Sequence, residues 1–367
     1  MNIAILSPSQ NPYSETFIQA HKNFLKGKVY YYYGQKGGVC LESEKKLGHP
    51  IKKVFYKLYR SIFKKPYSYI NNKQLIDSFN KNKIDVILVE YGNHAFKILD
   101  VLKLSKIPFV VHFHGYDASV NFVIEQCQNY SEVFKYASKI ISVSQVMSNN
   151  LLDLGCPKDK LFYNVYGPNP LFEKVQPTFS KKQFISIGRF TDKKAPYYLI
   201  LAFKDVIKTH KKAQLLIGGS GELYNTCKNL IAYYNLQDNI RLLGVVTPQK
   251  YTTLLEESLA YVQHSVTALN GDMEGTPLSI LEASVAGLPV ISTYHAGISD
   301  VIINNKTGLL VHEHDVSGMT EAMISLLDDI DLAKTLGNNG KQNILSNFSM
   351  NRHIKQLNII LSDSVNP

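Results

Sequence analysis

Two glutamates eight residues apart, Glu274 and Glu282, lie in the stretch GDMEGTPLSILEASVAGLPVIST (Gly271 to Thr293), which holds three acids and no Lys or Arg. Its layout is nevertheless that of an anion site. Thr276 reads as a helix N-cap and Pro277 as the first helical residue, where a missing N–H costs nothing. Gly287 supplies a left-handed stop, with Pro289 just beyond it. A helix from about Pro277 to Ala286 leaves the backbone N–H groups of Leu278 and Ser279 pointing out of its N-terminus, where the helix dipole favours a phosphate or carboxylate. Glu282 lies about 9 Å along that helix from Thr276, at ~1.5 Å per residue, so the two glutamates cannot share one proton. Separated carboxylates flanking an anion suit a ligand with hydroxyls at both ends. A nucleotide sugar is such a ligand, with a ribose diol on one side of its diphosphate and a hexose on the other.

The positive partners come from ISIGRFTDKKAPYYLILAF, where Arg189 and Lys194 stand five residues apart between a strand and a helix. Arg forks onto phosphate oxygens and Lys acts as a point charge. Together they would stabilise a departing diphosphate without a metal.

The elements that must position these groups alternate along the chain. Apolar strand-like runs fall at 2–6, 28–33, 84–90, 109–113, 139–143 and 161–165, then at 183–187, 214–217, 240–243, 260–263, 290–292 and 308–311, with helix-period segments between them. That is the pattern of parallel βαβ units, and continuous apolar runs are those of sheets covered on both faces. YGPNPLFEKVQPTFSKK, with three prolines, reads as a linker. The fold expected is α/β, two doubly wound domains facing across an interdomain cleft. Residues 1–177 form the first domain, 178–348 the second, and a helix at about 349–367 crosses back onto the first. Functional residues belong in loops just after strands.

Composition bounds the rest. The 367 residues suit two domains, and the four cysteines lie far apart with no metal spacing, as in a reducing compartment. The N-terminus lacks the basic and apolar regions of a signal peptide, and no apolar run reaches about 18 residues. Residues 1–180 carry 23 Lys and Arg against 13 Asp and Glu, and the rest 17 against 17. Much of the excess sits in IKKVFYKLYRSIFKKPYSY (51–69), six cations interleaved with aromatic and aliphatic residues. Such a segment suits an anionic membrane surface, at about 1 kcal/mol per cation. It equally suits a basic helix that packs on its own domain.

The pairing of IGRFTDKKAPYYLI with GDMEGTPLSILEASVAGLPVISTYHAGISDVIINNKTGLLV resembles the retaining nucleotide-sugar glycosyltransferases of the GT-B fold, family 4. The family's E-x7-E motif falls on Glu274 and Glu282, and its Arg and Lys on Arg189 and Lys194 beside Gly188. The resemblance implies that Glu274 lies by the donor sugar and Glu282 holds the ribose. The loop N–H groups near Gly275, Thr276, Pro277 and Leu278 would contact sugar and phosphate. In the first half, SQNPYSETFIQAHKNFL looks like the opening loop of the branch that makes bacterial surface polysaccharides, placing Ser14, Glu15 and Thr16 near the donor. VVHFHGYDASV resembles the family's His-Gly-x-Asp, with His114 and Asp117 beside the donor sugar. The family's Pro-Asn-Gly near the linker is GPNPLF here, so Asn169 keeps its place while Phe172 replaces an Asp; Ala195 replaces a Gly after Lys194.

The resemblance implies hexosyl transfer from a nucleotide sugar, UDP- favoured over GDP-, to an oligosaccharide or lipid-linked acceptor. Retention would come from same-face attack, with Arg189, Lys194, Glu274 and His114 as the catalytic groups. No cofactor, metal or nucleic acid is expected, and the setting is the cytoplasmic face of a membrane. Plainer readings stand beside these. IGGSGE (217–222) reads either as a nucleotide contact or as a tight turn, LDDID (327–331) as a solvated helix end rather than a metal motif, and Glu282 as a helix residue paired with a nearby Lys. Competing functions are an epimerase or phosphorylase on the same fold, or a non-catalytic membrane or nucleic-acid binder.

Overall fold

The computed structural model describes residues 1–10, 15–34, 38–44, 47 and 50–365. The chain divides into two compact units. The first holds Met1–Val143, Met147–Asn164 and the chain from Ile354 onward; the second holds Ser144–Val146 and Val165–His353. Val165 to Pro177, which the sequence assigns to the first domain, group with the second.

In the first unit the strands are β1 (Asn2–Ser7), β2 (Lys28–Tyr33), β3 (Cys40–Leu41), β4 (Val86–Glu90), β5 (Phe109–His112), β6 (Lys139–Ser142) and β7 (Leu161–Tyr163), in the spatial order β3-β2-β1-β4-β5-β6-β7. All described pairs are parallel except β2 with β3. The sequence reading lacks β3, because two residues on an antiparallel edge are too few to show a period. VILVE and FVVH are buried along their whole length, as central parallel strands must be.

In the second unit β8 (Gln183–Ile187), β9 (Gln214–Gly218), β10 (Ile240–Gly244), β11 (Ala260–Val262), β12 (Val290–Thr293) and β13 (Gly308–Val311) form one sheet, ordered β10-β9-β8-β11-β12-β13. Renumbered from β8 this is 3-2-1-4-5-6, the doubly wound order, whose reversal lies between β8 and β11. The first unit reverses likewise between β1 and β4.

The last helix, Met350–Val365, closes the first unit's core. Leu357, Ile360 and Leu361 are buried against Ile3, Ile5, Leu25 and Leu88. At about 2 kcal/mol for each fully buried aliphatic side chain, their burial is comparable to the whole stability of a small domain. The 51–69 segment forms a helix over Pro50–Ile62, followed by Ser68–Lys81. The two are joined by polar and ring contacts: Tyr56 donates to Asp77 at 2.6 Å, and Tyr59 stacks on Tyr69. The apolar face is not the one that packs. Ile51, Val54, Phe55, Leu58, Ile62 and Phe63 are 55 to 74% exposed. The helix therefore packs on its own domain through Tyr56 and Tyr59, as the plainer reading has it, while its apolar face stays open.

Candidate functional site

The chain leaves β8 through Gly188 and the exposed Arg189, makes a short turn over Asp192–Lys194, and enters the helix Pro196–Thr209. Ala195 begins that helix at φ +36, a left-handed conformation in which the glycine usual at this place would be unstrained. The turn sends Lys194 inward over Gly188, close enough that a Cβ there would touch its stem. Its Nζ lies 2.9 Å from Glu274 Oε1 and 3.3 Å from Gln263 Oε1. Burial by itself would raise the Glu274 carboxyl, but Lys194 and then Lys193 hold it down at about 2. Burial also lowers Lys194, partly offset by Glu274. Arg189, by contrast, is held by no acid among the described residues and stands open to an anion.

The loop bearing Glu274 is fixed at three points. Lys193, which the sequence reading passes over, is buried and reaches Asp272 Oδ1 at 2.8 Å and the Met273 carbonyl at 3.0 Å. The Glu274 N–H donates to His295 Nε2 at 3.1 Å, so the ring's proton sits on Nδ1, 2.6 Å from Glu313 Oε1. Gly297 N–H donates to the Gly275 carbonyl at 3.0 Å, and a Cβ on Gly297 would come within 2.0 Å of that oxygen.

The helix after this loop runs over Leu278–Ala286, one residue later than the sequence indicates. Pro277, extended at ψ 118, takes the N-cap position expected for Thr276, and no side chain caps the helix. Thr276 is buried instead, its hydroxyl facing Gly297. Leu278 and Ser279 are partly exposed at the helix start, where unbonded N–H groups and the dipole favour an anion. Tyr261 Oη, 2.8 Å from Ser279 Oγ and 3.0 Å from the Ile187 carbonyl, ties this helix start to β8. Gly287 ends the helix at φ +94, as expected. Glu282 has no cationic partner among the described residues, which corrects the paired-lysine reading, and burial pushes its carboxyl up to about 8.

IGGSGE supports the loop after β8. Gly188 N–H donates to Gly218, and Phe190 N–H to Ser220, so the loop after β9 lies on the loop after β8. A Cβ at Gly219 would sit 1.8 Å from the Gly188 carbonyl, and one at Gly221 would sit 2.4 Å from that of Phe190. LDDID is likewise structural, as Asp329 caps the helix Ile330–Asn347.

In the first unit the loop after β5 carries His114 and Asp117. Asp117 is fully buried and accepts N–H bonds from Gly92 (2.7 Å), His114 (2.9 Å) and Gly115 (3.1 Å), so it shapes the loop rather than facing a ligand. His114 Nε2 lies 2.8 Å from Glu90 Oε2, and His21 Nδ1 lies 2.7 Å from Glu90 Oε1. The sequence reading misses Glu90 and His21, although a lone acid ending the apolar strand VILVE is a visible signal. Glu15 and Thr16 open the helix Thr16–Phe24, and Ser14 lies outside the described residues. Asn169 is exposed and caps the turn Pro170–Lys174 by accepting from Leu171 N–H at 3.0 Å, while Phe172 is core against Tyr251.

A family model described as "Glycosyl transferases group 1" matches residues 170–343, and one for "Glycosyltransferase Family 4" matches 27–163. The chain belongs to the family 4, group 1 glycosyltransferases. Among curated relatives, a protein named for colanic acid biosynthesis, WcaL of Escherichia coli K12, is 27% identical over 263 residues. The match covers 68% of this chain and 64% of WcaL. The amylovoran biosynthesis glycosyltransferase AmsK of Erwinia amylovora is 28% identical over 66% of this chain and 61% of its own length. The chain thus spans less than two thirds of either relative. The Anabaena HepE structure in complex with UDP-glucose is 14% identical with a TM-score of 0.76, over 100% of this chain and 99% of that one, and so shares the GT-B fold.

Proposed function

We propose that the chain is a retaining glycosyltransferase that moves a hexosyl unit from a nucleoside-diphosphate sugar, UDP- favoured over GDP-, to a hydroxyl of a growing, lipid-linked surface polysaccharide. The observation that carries this is the set of groups at the carboxyl end of β8. Arg189, with no acidic partner among the described residues, stands beside the buried Lys194–Glu274 pair, in the loops nearest the reversal of the strand order. In this reading residues 178–348 bind the donor. Arg189, Lys194 and the start of the Leu278–Ala286 helix take the diphosphate. Glu274 and the Gly275–Leu278 backbone take the sugar, and Glu282 takes the ribose. Residues 1–177 bind the acceptor, with His114 holding a sugar hydroxyl. The relatives named for colanic acid and amylovoran biosynthesis support a polysaccharide product.

The exposed apolar face of Pro50–Ile62, flanked by lysines, supports docking on an anionic membrane at its cytoplasmic side. No helix among the described residues is long and apolar enough to cross a membrane.

A thermal-shift screen of UDP- and GDP-sugars against the wild type and Arg189→Ala tests the donor site. A stabilising shift that Arg189→Ala abolishes supports the reading, and no shift with any donor rejects it. Turnover that persists without an acceptor, or that requires inorganic phosphate, would instead favour an epimerase or a phosphorylase. NMR of the product's anomeric proton decides retention.

A further inference from the structure

We propose that Glu90 is a positioning residue that clamps the ring of His114; this rests on the reading of His114 as a group that holds a sugar hydroxyl. Glu90 ends β4 with its side chain wholly buried, an expensive place for a carboxylate unless it is bonded. Its close partners are imidazoles: His21 Nδ1 at 2.7 Å, His114 Nε2 at 2.8 Å and His112 Nδ1 at 3.6 Å. The first two separations are hydrogen-bond lengths.

The clamp has a second arm. Tyr91, directly after Glu90, adopts φ +74, and the next residue, Gly92, donates its N–H to Asp117 Oδ2, while Asp117 Oδ1 takes the His114 N–H. The end of β4 thus grips the loop after β5 twice, the backbone of His114 through Asp117 and the ring through Glu90. Phe17 stacks on the same ring with centroids 4.4 Å apart. A strained, non-glycine residue at such a junction persists where its surroundings over-determine it. A carboxylate at Nε2 places a proton on that nitrogen, whereas His295 Nε2 accepts. Turning and proton placement of a ligand-binding imidazole by a buried carboxylate is a recurrent second-layer device.

The test uses the full chain. In wild-type protein with 15N-labelled histidine, His114 should carry a proton on Nε2; a ring protonated on Nδ1 alone overturns the proposal without any variant. Glu90→Gln should lower kcat roughly 10- to 100-fold, the range that loss of a carboxylate partner produces at metal-bound histidines, with the donor KM changed less than about threefold. In a His114→Ala background the same change should add less than about twofold. Wild-type kcat in Glu90→Gln, or a full multiplicative loss in the His114→Ala background, overturns the proposal. So does a stoichiometric metal ion, found by mass spectrometry and lost in Glu90→Gln, since the cluster would then be a ligand set. A wild-type chain that turns over no nucleotide sugar sinks the transferase reading and this one with it. One that turns over donor but ignores Glu90→Gln sinks this one alone.

Discussion

Lys194 and Glu274 form a buried ion pair, Nζ to Oε1 2.9 Å, joining the loop after β8 to the loop before the Leu278–Ala286 helix. Removing Lys194 strands a buried carboxylate. Lys194→Met should destabilise the second unit by about 3 kcal/mol, the low end for a broken buried pair because Lys193 remains nearby. The double variant with Glu274→Gln should cost less than the two single changes added together, as read by urea denaturation. The pair's contribution is present above the ordinary glutamate range and is lost as pH falls toward about 2, the value at which Glu274 is held. The stability gap between wild type and Glu274→Gln should therefore close on acidification from pH 5.

Arg189 separates binding chemistry from folding. It is exposed and has no partner among the described residues, so Arg189→Ala should change stability by less than about 0.5 kcal/mol. If it stabilises the departing diphosphate, kcat/KM should fall by about 10²- to 10³-fold, mostly in kcat. An intact rate would remove it from the catalytic set.

Glu282 carries a pH signature of the opposite sign to Glu274. Burial raises its carboxyl to about 8, so the folded chain keeps a proton that the unfolded chain has released. Between about pH 5 and 8 its contribution to stability falls as pH rises. Glu282→Gln should match the wild-type melting temperature near pH 5 and exceed it at pH 8. Parallel melting curves across that range would contradict the environment described for this side chain.

The Pro50–Ile62 helix predicts lipid binding with two separable parts. Vesicles containing phosphatidylserine should sediment the chain, and neutral vesicles should do so much less. Replacing Lys53, Lys57 and Lys64 by Ser should weaken binding by about 3 kcal/mol, roughly 10²-fold, at about 1 kcal/mol per cation, and should reduce its salt dependence. Phe55→Ser with Leu58→Ser should weaken binding without changing that dependence. Equal binding to neutral vesicles would count against the basic face.

The alternation of strands and helices was legible because parallel sheets covered on both faces demand long apolar runs, and VILVE and FVVH advertise themselves. The ends of the central strands, and so the neighbourhood of Arg189, Lys194 and Glu274, followed from the same pattern. What escaped was pairing across long chain separations. Nothing local marks Lys193 as the partner of Asp272, or His295 as the bridge between Glu274 and Glu313. Thr276 has the residue type and place of a cap, but Pro277 stays extended and delays the helix by one residue. Asn169 and Asp117 carried the right residue types for ligand contacts but spend them on backbone N–H groups, an allocation that only packing reveals.

Gly219 and Gly221 press against the carbonyls of Gly188 and Phe190, on either side of Arg189. A saturation scan of this chain would therefore score both glycines as intolerant as Arg189 itself, although neither is assigned a ligand contact. Drawn from such a scan alone, the proposed donor site would look wider than the residues assigned to it. The two causes come apart only when abundance is measured beside activity: substitutions at the glycines should deplete the protein, whereas those at Arg189 should leave it plentiful and silent.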